Sequence, residues 1–160
     1  MELQSNSFSA DSTIPPVYTC DEKGISPNLS WDEPPVETQS LALIMDSSDA
    51  SKSTHSGQKF VHWVIYNLPA QTRALPEGLP PGEPTLEGGD SQGTNDFGEL
   101  GYGAPCPSEG TQRYSFRLYA LDTPLGLEAG ATKQELEKAM EGRIVATAEL
   151  VGQYERKFPG

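Results

Sequence analysis

The chain of 160 residues carries 23 acidic against 11 basic side chains, a formal net charge of −12, which repels phosphate backbones and anionic leaflets and excludes nucleic acid as an expected partner. Its length fits a single domain spanning residues 1–160, and its 16 glycines and 14 prolines read as turn punctuation in a β-rich fold rather than a helical bundle. No apolar run approaches the roughly 20 residues that cross a bilayer, and Met1-Glu2-Leu3-Gln4 lacks a basic or apolar leader pattern, so stable membrane insertion is not expected and a cytoplasmic location is.

In chain order, Ile14-Pro15-Pro16-Val17-Tyr18 predicts an extended arm or edge strand, because paired prolines restrict the backbone and disfavour helix. Thr19 to Gly24 reads as a polar turn. It contains Cys20, whose only companion is Cys106. Without a CxxC or a nearby His pair, zinc is not indicated; two reduced thiols are expected in a cytosolic chain, with a single bridge left open. Ser26 to Trp31 is a short strand with Leu29 and Trp31 on one face.

Ser40 to Met45 is a continuous apolar run, expected of a central strand covered on both faces, and Asp46 to Lys59 follows as a polar loop. Phe60 to Leu68 is a second such strand. Strict alternation sets Phe60, His62, Val64 and Tyr66 opposite Val61, Trp63 and Ile65, and makes His62 buried or half-buried. From Pro69 to Pro107 repeated Gly and Pro signals break every period, and a stretch that long is usually functional. Arg113 to Asp122 resumes a strand. Thr132 and Glu135 form a capping box before an apolar stripe of Leu136, Ala139 and Met140, with Gly142 placed to end the helix; Ile144 to Tyr154 is a closing strand.

Chemistry-bearing residues are few. His55 sits in a polar loop and reads as solvated, and no serine occupies a nucleophile elbow, so no enzyme is expected. A histidine on an apolar strand is most often a hydrogen-bonded core residue, and Asp46 and Asp49 read equally well as turn caps. Individually, none of the three identifies a site.

The chain nevertheless resembles the phosphatidylethanolamine-binding protein family, in its bacterial and archaeal branch described as Raf-kinase-inhibitor-like. The resemblance rests on ordered stretches along nearly the whole sequence. They include Tyr18-Thr19-Cys20-Asp21, Ser26-Pro27 with Leu29-Ser30-Trp31, Val61-His62-Trp63-Val64, Asn95-Asp96-Phe97-Gly98, Gly101-Tyr102-Gly103 with Pro105-Cys106-Pro107, and Leu118-Tyr119-Ala120-Leu121-Asp122. It implies a β-sandwich with a large central antiparallel sheet, a smaller second sheet and a short C-terminal helix. It also implies a pocket for a small anionic or phosphate-like ligand, without cofactor or metal, in a regulatory rather than enzymatic protein. A protein partner or a homodimer is compatible with it.

The residues matching that pocket are His62 on its strand, Ser47 and Asp49 in the acidic loop, Gly103, Ala104 and Pro105, and Gln112 with Tyr114; Asp46, one residue upstream of the loop, joins them only if the register slips. Several depart from the family pattern. Ser47 stands for the loop's first Asp, Ser48 and Ser51 for its prolines, Ala104 for a Gly, Ser108 for a Pro and Gln112 for a His. Gln112 still donates an N–H but cannot carry charge, which costs on the order of 1 kcal/mol in an anion contact. Two alternatives accompany this reading: an interaction or scaffold protein with a vestigial pocket, and a hydrolase using Ser47 or Ser48 with His62 as base.

Overall fold

The computed structural model describes residues 1–47, 60–86, 88–107 and 110–155. Asp49, Ser48, Ser51, His55 and Ser108 lie outside the described residues. The described chain forms β1 (Leu3–Gln4), β2 (Leu29–Trp31), β3 (Ser40–Ser47), β4 (Phe60–Pro69), β5 (Ala74–Leu75), β6 (Ser91–Gln92), β7 (Gln112–Leu121), α1 (Lys133–Met140) and β8 (Ile144–Tyr154). All strand pairs within the two sheets are antiparallel. The small sheet has the order β1-β2-β5 and the large one the order β6-β4-β3-β7-β8.

The unbroken apolar run of β3 has its predicted place. Between β4 and β7 it is covered on both faces and every residue is buried. One face, with Leu41, Leu43, Met45 and Trp63, packs against Leu3, Leu29, Trp31 and Leu75 of the small sheet. The other, with Ala42, Ile44, Val64 and Tyr66, packs against Leu136 and Met140 of α1. The helix begins as expected: Thr132 Oγ1 accepts from the Glu135 amide at 3.3 Å, and Glu135 accepts from the Thr132 amide at 3.0 Å.

The structure overturns four expectations. Pro16–Tyr18 form a short 3-10 turn rather than an extended arm, because Pro16 stands at its first position, where a missing N–H and a fixed φ cost nothing. Asp46 and Ser47 are not loop residues but the last two of β3, paired with Ser115 and Tyr114 on β7. Cys20 and Cys106 are bridged, closing 86 residues of sequence, where reduced thiols were expected. The fourth correction is in β4 and shapes the site.

Candidate ligand site at the His62 bulge

β4 does not alternate strictly. Its register against β3 runs Met45 to Trp63, then Asp46 to Val61, so His62 is an extra residue without a partner of its own in β3. Such a bulge re-aims a side chain and is common beside functional sites. Alternation alone would have put His62 under α1 with Val64 and Tyr66. The bulge instead sends it among Phe60, Phe97 and Tyr114, with ring centroids at 5.0, 5.7 and 5.3 Å. Val61 now packs on the α1 side, the reverse of its expected direction.

The ring of His62 is fully buried and held at both nitrogens. Nδ1 lies 2.8 Å from the Gly103 carbonyl, and Nε2 lies 3.1 Å from Ser47 Oγ. A carbonyl only accepts, so Nδ1 carries the proton and donates. In the neutral ring the Nε2 lone pair then faces the Ser47 hydroxyl, which donates to it. Gly103 also donates its own N–H to the His62 carbonyl at 2.7 Å, clamping backbone and ring together. No larger residue fits at 103 unchanged, because a Cβ there would overlap the Phe97 ring.

The segment opposite is anchored from several directions. Asp96 exchanges bonds with Val61, N to O at 2.9 Å and Oδ2 from N at 2.8 Å, prolonging the edge of β4. Asn95 accepts from the amides of Phe97 and Glu99 and donates to the Gly101 carbonyl. Tyr102 donates to the Tyr18 carbonyl at 2.7 Å, and burial pushes its phenol well above the usual range, so it stays a donor. A cavity of about 380 Å³ opens beyond Phe97 and Gly103, walled also by Tyr102, Ala104 and the Cys20–Cys106 bridge.

Of the residues singled out from sequence, the structure therefore brings His62, Ser47, Gly103 and Tyr114 together. Gln112 begins β7 two positions before Tyr114 and so shares its face, half-buried. Ala104 lies in the cavity wall, and the buried Pro105 accepts from the Cys20 amide at 3.1 Å.

Asp46 does not belong to this group. It projects to the opposite face, fully buried, where Oδ2 receives Arg117 Nη2 and, at 2.9 Å, Lys133 Nζ. No pocket role remains for it. Phe60 and Phe97 are the residues that reading for ionisable groups missed; Phe97, an aromatic set in the polar turn Asn95-Asp96-Phe97-Gly98, was the available signal.

A family model described as phosphatidylethanolamine-binding protein matches residues 4–155. The chain belongs to the phosphatidylethanolamine-binding protein family. It is 47% identical over 156 residues to the UPF0098 protein of Methanothermobacter thermautotrophicus, covering 98% of this chain and 99% of that one. The crystal structure of a homologue from Chlamydia trachomatis superposes with a TM-score of 0.88 at 42% identity, covering 98% and 97% of the two chains. That of Escherichia coli YbcL, described as a new member of the mammalian family, gives 0.86 at 28% identity with 98% coverage of each. This phosphatidylethanolamine-binding protein family member thus has the two-sheet fold that the resemblance implied, with His62 delivered by a bulge that the resemblance did not reveal.

Proposed function

We propose that the protein is a non-enzymatic, regulatory ligand-binding protein whose site around His62 takes a small phosphate-like anion or polar headgroup. The observation that carries the reading is the bulge, which places an imidazole and a hydroxyl side by side, His62 Nε2 and Ser47 Oγ at 3.1 Å, in an aromatic setting. With Nδ1 committed to Gly103, the Nε2 edge and the Ser47 hydroxyl are the polar groups available to an anion, and the hydroxyl can rotate to donate to it. Gln112 adds an uncharged donor on the same face. Serine at 47, where the family pattern has an aspartate, removes a negative charge from next to the imidazole. That favours an anion locally although the whole chain, at −12, does not.

Calorimetric titration with inorganic phosphate and with phosphorylethanolamine at neutral pH tests the proposal. Weak, saturable binding is expected, reduced about tenfold or more by His62→Ala, as loss of a charge-assisted hydrogen bond implies. Absence of binding, or binding that His62→Ala leaves intact, removes the reading. In the second case, a partner protein or second copy captured equally well by pocket variants favours an interaction role.

One observation favours a second reading. The Ser47–His62 distance is that of a nucleophile and its base, although Nδ1 is oriented by a carbonyl rather than a carboxylate. Ester hydrolysis abolished by Ser47→Ala would support a hydrolase; hydrolysis unaffected by it would not. As for location, the Cys20–Cys106 bridge favours an oxidising compartment or a thermophile's cytoplasm over the mesophilic cytoplasm. Among the described residues no helix is long and apolar enough to cross a membrane.

A further inference from the structure

We infer that the Cys20–Cys106 bridge is a site of thiol–disulfide exchange with a dithiol reductant, and that its redox state governs how Gly103 holds His62. The bridge is not enclosed: Cys20 is exposed, Cys106 is half-buried, and both line the 380 Å³ cavity together with Phe97, Tyr102 and Gly103. Access to a sulfur is what separates labile bridges from inert ones.

The same bridge fastens the segment that carries the clamp. It ties the turn after Tyr18 to residues 102–106, a junction otherwise made by Cys20 N donating to the Pro105 carbonyl and by Tyr102 donating to the Tyr18 carbonyl. Gly103 lies three residues before Cys106 and makes both contacts to His62, at the backbone and at Nδ1. Phe97 belongs at once to the cavity wall and to the ring cluster around His62. Among the described residues the Cys20–Pro105 and Tyr102–Tyr18 hydrogen bonds remain to hold the junction once the covalent link is gone, so motion admitted at Cys106 is felt at Gly103.

A thiolate of the dithiol attacks Sγ of the exposed Cys20; a mixed disulfide forms, the Cys20–Cys106 bond breaks, and Cys106 leaves as a thiolate that takes up a proton. The second thiol then attacks the mixed disulfide and releases Cys20. Two electrons and two protons pass to the protein, and the dithiol becomes a disulfide.

The inference concerns His62 itself and rests on the anion reading only for its effect on binding. Dithiothreitol is added to the native chain, thiols are counted by alkylation and mass, and the His62 ring nitrogens and the Gly103 amide are followed by NMR. Expected are two thiols per chain with the far-ultraviolet circular dichroism retained, shifted His62 ring resonances, and Gly103 amide exchange faster by roughly tenfold or more. The double variant Cys20→Ser, Cys106→Ser should reproduce the reduced spectrum.

Ring resonances and Gly103 exchange that are identical in both redox forms overturn the inference, and so does a bridge that yields only when the chain unfolds. Inorganic phosphate is titrated into both forms in parallel. A redox-dependent ring signal with no phosphate binding in either form supports the exchange site while removing the anion reading, so the two fail separately.

Discussion

Asp46 and Ser47 are consecutive, equally buried, and assigned by the strand's two-residue period to opposite faces of the central sheet. On the α1 side, Asp46 is enclosed by two cations that both use its Oδ2, while Oδ1 and Arg117 Nε find no hydrogen-bond partner among the described residues. On the other side, Ser47 meets His62, whose ring lies among Phe60, Phe97 and Tyr114, and of these Phe97 also borders a cavity. Polar groups thus sit in the core on both faces to different ends. The first set joins β3, β7 and α1 through ion pairs; the second holds a buried imidazole against a hydroxyl.

Loss of the carboxylate on the ion-paired side tests this difference most directly. Asp46→Ala strands Arg117 and Lys133, whose side chains are only 27% and 17% exposed, and stranded ions of this kind cost about 3 kcal/mol. Urea denaturation should show that loss while phosphate titration stays near that of the parent. A fall in phosphate affinity as large as that caused by His62→Ala would mean that the two faces are one site.

The complementary change lies on the His62 side. Gly103→Ala forces a methyl group into the Phe97 ring. Overpacking of that kind costs about 1–2 kcal/mol, softened here because Phe97 is partly exposed and can swing outward. The informative readout is the His62 ring: its resonances should move in Gly103→Ala and remain in place in Asp46→Ala. Movement in both, or in neither, would dissolve the assignment of Gly103 as the clamp.

This same junction shows where the sequence could be read and where it could not. The buried strands β3 and β4, the strand β7, the capping box of α1 and the closing strand were legible because hydrophobic period and end signals are local. The direction of His62 was not, since a bulge is a property of two strands in register and leaves no mark in one of them. Asp46 was misread for a related reason: a polar residue after an apolar run looks like a loop until Arg117 and Lys133, 71 and 87 residues away, are seen to pair with it. The bridge between Cys20 and Cys106 likewise depends on a distance across 86 residues that spacing does not contain. Resemblance named the segments, yet it could not tell which of their side chains converge on His62.

A smaller effect tests whether pairing, rather than burial alone, keeps Asp46 tolerable. Asp90 is also buried, but no salt bridge among the described residues reaches it, and burial raises its carboxyl above the ordinary carboxylate value. Between that ordinary value and its raised folded one, the native chain binds more protons at this site than the unfolded chain does. The contribution of Asp90 to stability is therefore fully present below the unfolded pKa and is lost as pH rises through the folded one. Asp90→Asn keeps the shape and discards the proton, so it should flatten this part of the pH dependence and leave the variant slightly more stable than the parent at neutral pH. Urea midpoints measured from the acid range to neutrality decide it. Parallel curves for parent and variant would show that Asp90 is compensated in the fold as Asp46 is, and that the central sheet is not alone in neutralising what it buries.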